Sequence, residues 1–339
     1  MRPPPTHIFL QTNQRCNLRC THCNYWQHSD ADRANYLSLE RRRGLVKEFA
    51  ELGGKYVVTC GGEPTLDLED LFDLTAAARS SGLGCLTVTN GTRINSAERA
   101  ERMLAEGPSE ITLSLDHWQV QANDRLRGRP GAHNAVCTAL DYLLTAREKM
   151  GARTPIYVMT ILSEDTWPTL DCFFQFVLVE LGADKLKLNV LQPTFGQNGP
   201  DEYFQGSRVS DVAACIEMIR FCDEHFGLMR NPKWLADVEM YLRSVEAHAS
   251  DLLRGWATPD GTHGEICNSR DRNIMVDLYG KARLCFSHHF PASSLRGGDL
   301  ADFWHSQSLF ARDQMEGCKR WCGISHSVRA SSSLRKTPS

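Results

Sequence analysis

The chain has 339 residues, 42% of them hydrophobic, enough to bury one large core or a large and a small one. Its 38 Lys and Arg against 41 Asp and Glu leave a formal net charge of −3, so nothing global points to nucleic acid or an anionic membrane, and neither is expected as a partner. No run approaches the ~18 apolar residues of a membrane span and the N-terminus has no signal-peptide pattern, so the expectation is a cytoplasmic enzyme whose thirteen cysteines serve metal or redox chemistry, not disulfides.

Strand-like runs rich in β-branched residues alternate with longer amphipathic segments. The predicted strands are 7–13, 55–60, 84–90, 110–116, 155–162 and 184–191; the predicted helices are 39–53, 67–82, 96–106, 132–150 and 166–181. Six such units read as an α/β fold, a partial (β/α)6 TIM-type barrel over residues 1–208. A segment rich in Gly, Pro and Asn (192–206) breaks the alternation. Helices near 209–226 and 232–254 then form a linker that runs to 262. From 263 to 326 the texture changes to a hairpin turning at Tyr279-Gly280 and one short helix near 300–312; so small a piece is expected to need a metal staple. Residues 327–339 read as a polar, solvated tail.

Within "QRCNLRCTHCNYW", Cys16, Cys20 and Cys23 stand in C-x3-C-x2-C spacing just after the first predicted strand, where a parallel α/β architecture gathers its active site. Three thiolates can hold a 4Fe-4S cluster and leave one iron open to a ligand. Zinc, with His22 or His28 as a fourth ligand, is the alternative that spacing alone leaves open.

This spacing, followed by the aromatic Tyr25, resembles the signature of the radical S-adenosylmethionine (SAM) superfamily, and five further motifs fall in the family's order over residues 7–195. The resemblance implies that the open iron chelates SAM and reduces it to methionine and a 5′-deoxyadenosyl radical. It implies that "GGEP" (Gly61, Gly62, Glu63, Pro64) holds the methionine amino group through backbone and the Glu63 carboxylate. Read in isolation, the same four residues are a turn with a prolyl stop. It places Asn90 of "TNGT", Ser114 of "SLD", and Asn189 and Gln192 of "NVLQP" against SAM. Arg127 of "RLRGRPG" would pair with the cofactor carboxylate, with Arg125 a competitor two positions earlier.

Near the C-terminus, Cys267, Cys285, Cys318 and Cys322, with Gly280 five residues before Cys285, resemble the twitch auxiliary-cluster domain, the shortened relative of SPASM domains. The C-x2-C-x5-C-x3-C run usual in SPASM domains is absent. The resemblance therefore implies one further 4Fe-4S cluster, saturated by four thiolates and suited to accepting an electron. Zinc fits four thiolates too. His288 and His289 read as surface or structural histidines.

The remaining cysteines, Cys60, Cys85, Cys137, Cys172, Cys215 and Cys222, are expected to behave as small hydrophobes. Cys60 is the exception to watch, because beside GGEP it could donate a hydrogen atom to a substrate radical. Asp116 and His117 are the candidate proton acceptors. The family resemblance implies a one-electron donor such as flavodoxin or ferredoxin. It also implies a small sugar, aminocyclitol or nucleoside as substrate, oxidised by alcohol dehydrogenation or decarboxylation. Peptide modification is the alternative; only fifteen residues precede Cys16, too few for the leader-binding domain such enzymes often carry. A zinc-stabilised binding module is the remaining reading. Replacing Cys318 with Ala should spare 5′-deoxyadenosine formation and impair substrate oxidation, measured by chromatography of both products; equal loss of both would count against the electron-acceptor role.

Overall fold

The computed structural model describes residues 3–28, 32–192, 202–227, 232–247, 269–285 and 293–316. Cys267, Cys318, Cys322, His288, His289, the predicted linker beyond 247 and the tail 327–339 lie outside the described residues.

Six strands form in the predicted order: β1 (His7–Asn13), β2 (Tyr56–Gly61), β3 (Gly84–Thr89), β4 (Glu110–Ser114), β5 (Ile156–Leu162) and β6 (Lys185–Val190). Each is parallel to its sequence neighbour, with β1 pairing β2 from His7↔Tyr56 and β5 pairing β6 from Tyr157↔Lys185. Parallel neighbours demand crossovers, and the intervening helices supply them: α1 (Leu39–Glu51), α2 (Leu68–Ser80), α3 (Ala97–Ala105), α4 (Val120–Arg127), α5 (Ala132–Met150) and α6 (Leu170–Phe174). Ser38 and Ser96 cap α1 and α3 by accepting the N–H of Arg41 and Arg99, which satisfies first-turn donors that have no partner within the helix.

The strand period of two sorts side chains between two faces. Ile8, Leu10, Val57 and Cys85 pack with Leu45, Val46 and Phe49 of α1 and Leu74 of α2. Further along the sheet, Ile111, Leu113, Ile156 and Val158 pack with α3, α5 and α6. The alternate residues, including Gln11, Val88, Tyr157, Met159 and Asn189, remain half-buried on the opposite, inner face.

Four elements differ from the expectation. Residues 166–181 are not one α-helix: α6 is followed by a wider-wound stretch, Gln175–Glu180. Helix α4 occupies what read as a loop, because Gln119 to Arg127 mixes only three apolar residues with polar ones and gives a weak period. Helix α7 (Glu202–Ser207) falls inside the predicted break, and α8 (Val212–Phe226) and α9 (Pro232–Ala247) follow it. Cys172 is exposed, unlike Cys85, Cys215 and Cys222, which are buried as expected of small hydrophobes. Among the described residues no helix is long and apolar enough to cross a membrane.

The hairpin forms with its turn at the expected place, as β7 (Asn273–Val276) and β8 (Lys281–Arg283), with Gly280 at φ +81°. β7 runs parallel to β1 from His7↔Asn273, and with β8 and β9 (Ser293–Ser294) extends the barrel sheet to nine strands. Ile274, Val276, Ala282, Leu284 and the fully buried Trp304 join the core under α1 and α2. The segment borrows the barrel's hydrophobic core in place of building one. Replacing Trp304 with Ala should therefore cost about 3–5 kcal/mol and lower the whole urea transition, read by far-UV circular dichroism; a barrel that unfolds unchanged would contradict the shared core.

Candidate functional site

The loop after β1 carries Cys16, Cys20 and Cys23, all free thiols, packed together with Leu18 and Ala132. Backbone bonds fasten it to the end of α4: Arg19 N–H to Arg127 O at 3.2 Å and Thr21 N–H to Leu126 O at 3.0 Å. Gly128 allows this approach, since a Cβ there would stand 2.0 Å from Arg19 O. Burial pushes the Cys16 thiol up to about 12 and Cys23 to about 11, and raises Cys20 against the pull of Arg127. Such thiols stay protonated at neutral pH unless a cation takes the proton's place, which fits the site to a metal cluster. Among the described residues, no three His, Cys, Asp or Glu side chains stand close enough together to hold a single metal ion. Burial draws His22 down to about 4, so it is neutral.

GGEP follows β2 and lies against the cysteine loop. Gly62 N–H donates to Asn13 O at 3.0 Å, Glu63 N–H to Arg15 O at 2.7 Å, and Asn13 Nδ2 to Glu63 O at 2.9 Å. A Cβ on Gly62 would sit 1.9 Å from Arg15 O, so only glycine admits the contact. Pro64 is buried and starts a single helical turn. The buried Glu63 carboxylate accepts four bonds: Oε1 takes Thr65 N–H at 2.9 Å, Thr65 Oγ1 at 2.6 Å and Thr89 Oγ1 at 2.5 Å, and Oε2 takes Asn90 N–H at 2.7 Å. Both oxygens are thus occupied in fastening the ends of β2 and β3. Asn90 reaches back to the cysteine loop, its Nδ2 donating to Asn17 Oδ1 at 2.9 Å and approaching Cys16 Sγ at 4.0 Å. Asn17, which the motif reading passed over, also donates to Thr92 Oγ1 at 2.7 Å.

At the end of β4, Asp116 and Arg127 form a buried ion pair, with Arg127 Nε 2.8 Å from Asp116 Oδ2 in a geometry that makes no hydrogen bond between those two atoms, and Arg127 Nη1 lies 3.9 Å from Cys20 Sγ. Burial would lower the Arg127 pKa, but Asp116 and Cys20 outweigh it and the net shift is upward. Arg125 points away, 65% exposed, and pairs with Asp165 at 3.5 Å. Asp116 Oδ1 also accepts Ile161 N–H at 3.2 Å. His117 Nδ1 accepts Gln119 N–H at 2.9 Å, its Nε2 lies 3.3 Å from Thr169 Oγ1, and burial, with Arg125 nearby, holds its pKa below the ordinary value. The structure therefore brings Arg127 and Asp116 to the cysteine loop and commits both expected proton acceptors to protein partners.

Tyr25, half-buried just past Cys23, is raised in pKa by burial and then by Cys60. Cys60 itself is pushed up to about 12 by burial. Ser114 is half-buried at the end of β4, beside Met159 in the neighbouring strand. Asn189 donates to Met159 Sδ at 2.9 Å, and Gln192 is half-buried two residues beyond β6. Of the second cysteine set only Cys285 is described; it is half-buried at the edge of the core beneath the hairpin.

A partial barrel whose strand ends gather three free cysteines, a glycine-lined approach and a buried Arg–Asp pair defines an iron–sulfur enzyme. Residues 10–170 match the model described as Radical SAM superfamily. Fe-coproporphyrin III synthase of Methanosarcina barkeri is 34% identical over 299 residues, covering 80% of this chain and 73% of its own. AdoMet-dependent heme synthase of the same organism is 24% identical over 338 residues, covering 96% and 89%. Among solved structures, Streptococcus suis SuiB bound to precursor peptide SuiA superposes with a TM-score of 0.65 at 15% identity, covering 91% of this chain and 66% of that one. Native anSMEcpe with bound AdoMet gives 0.63 at 17%, covering 92% and 84%. The chain belongs to the radical SAM superfamily and is an enzyme of that family, which binds a 4Fe-4S cluster and SAM.

The contact at Gly62 sets a test. Gly62→Ala should lower iron and labile sulfide per chain at least several-fold after anaerobic reconstitution, whereas Gly206→Ala, where an added Cβ meets nothing within 4 Å, should leave both unchanged. Equal loading of the two variants would refute the packing argument.

Proposed function

We propose that this enzyme removes a hydrogen atom from a small, carboxylated, non-peptide substrate held on the inner face of the barrel, and that the substrate then loses carbon dioxide. Cys16, Cys20 and Cys23 hold the first cluster, and Cys267, Cys285, Cys318 and Cys322, within a unit spanning 263–326, hold a second. When bound, these groups supply the reductive cleavage of SAM to a 5′-deoxyadenosyl radical and a place for one electron to go.

The chain's own residues do the positioning. The backbone of Gly61 and Gly62 receives the methionine end of SAM, with Glu63 and Pro64 fixing that backbone, while Tyr25, Asn90, Ser114, Asn189 and Gln192 surround the rest. Arg127, kept cationic by Asp116, faces the cofactor carboxylate.

The observation that carries the choice of reaction is the commitment of Asp116 and His117. Alcohol dehydrogenation needs a base to take the hydroxyl proton, and these two groups are occupied by Arg127 and by the Gln119 N–H. Loss of a carboxylate needs none. In a radical centred next to the carbon that bears the carboxylate, the breaking C–C bond gives one electron to a new C=C bond, and the other would pass to the second cluster as neutral carbon dioxide departs. The substrate is then a uronic acid of the sugar or nucleoside class, or a carboxylated tetrapyrrole like that named in the relative 34% identical to this chain. The likeness to a peptide-binding structure, at 15% identity, speaks for the fold alone.

The test is anaerobic turnover of the reconstituted enzyme with a nucleoside uronate, an aminocyclitol, iron coproporphyrin III and a short peptide. A carboxylated non-peptide should raise 5′-deoxyadenosine formation at least ten-fold and release one carbon dioxide for each. Stimulation by the peptide alone, stimulation without carbon dioxide, or none from any carboxylate would overturn the reading.

A further inference from the structure

The hairpin brings a cation to the inner face that the sequence reading did not single out. Arg283 ends β8 opposite Met275 of β7, and Met275 lies beside Phe9 of β1, so the row of side chains across the inner face continues onto the C-terminal extension. Its neighbours Ala282 and Leu284 are 0% and 1% exposed in the core beneath the helices, which sends Arg283 to the opposite side.

Among the described residues, two further cations of this face, Arg127 and Lys187, already have protein partners, and Arg127 is assigned to the cofactor. Arg127 pairs with Asp116, and Lys187 Nζ pairs with Glu110 at 2.6 Å while standing 4.6 Å from the centre of the Tyr157 ring. Asp277, the acid closest in sequence to Arg283, spends Oδ1 on the N–H groups of Tyr279 and Lys281, both at 2.9 Å. Arg283 is half-buried, and its Nε is buried with no hydrogen-bond partner among the described residues. A buried N–H with no acceptor is costly, and the planar fork of guanidinium donors matches a carboxylate or phosphate in two parallel bonds.

We propose that Arg283 is the substrate's anion anchor: a guanidinium supplied by the C-terminal hairpin that grips a carboxylate or phosphate group on the inner face. This deepens the reading above and rests on it only in placing substrate on that face. It assigns the hairpin a part in substrate selection, separate from any part in holding a cluster.

Phenylglyoxal labelling of the reconstituted holoenzyme with SAM bound, read residue by residue by peptide mass spectrometry, tests the proposal without identified substrate. Arg283 should react, the paired Arg127 should not, and one of two probes, benzoate or inorganic phosphate, should slow Arg283 labelling at least five-fold. Protection by benzoate alone assigns a carboxylate, by phosphate alone a phosphate, and by both a general anion site. An unreactive Arg283, or one that neither probe protects, would overturn the assignment. Arg283→Gln should also weaken binding of the protecting probe about ten-fold or more, and Arg283→Lys by less, since the charge remains without the fork; unchanged affinity in Arg283→Gln would equally refute it. Protection without carbon dioxide release in turnover would leave the anchor standing and remove the proposed reaction instead.

Discussion

The buried carboxylate of Glu63 is the fixed point of this site. Unpaired, an ionised carboxylate out of water would be untenable, so its four donors are obligatory partners, and they come from Thr65, Thr89 and Asn90. The ends of β2 and β3 are thereby held in one arrangement. Through Gly62 and the backbone of Glu63, the same turn grips the carbonyls of Asn13 and Arg15, which begin the cysteine loop. One charge thus fixes where three thiols stand, and Asn90 carries the coupling on to Cys16.

On the other side of that loop the Arg127–Asp116 pair plays a related part. A buried ion pair contributes little net stability, but loss of one partner leaves an uncompensated charge costing about 3–5 kcal/mol. The pair holds a guanidinium against Cys20 and takes Asp116 out of the supply of bases. Positioning and choice of reaction meet in a single contact.

The inner face shows the division of labour within the barrel. Closed eight-stranded barrels fill their interior with side chains. Here six strands leave alternate residues half-buried, and the face is extended sideways by β7 and β8. The apolar half of the hairpin joins the core under α1 and α2, and its polar half reaches the site, so the same two strands serve stability on one side and recognition on the other.

Local pattern was enough for the six strands, most of their crossover helices and the Tyr279-Gly280 turn, because periods of two and 3.6 and a glycine with positive φ are properties of neighbouring residues. It also marked the cysteine loop and the GGEP, TNGT and SLD strand ends, since in a parallel barrel every strand end points to the same rim. Helices α4 and α7 were illegible because their polar sequences carry little period. Sequence spacing could not choose between Arg125 and Arg127; the turn of α4 did, sending one to solvent and the other against Cys20. Nor could it show that Glu63 accepts four bonds, that Asp116 is ion-paired with Arg127, or that the hairpin docks Met275 beside Phe9 of β1 and so puts Arg283 on the inner face. Those facts depend on contacts between residues 11 to 266 positions apart, which only the folded sheet and helices bring together.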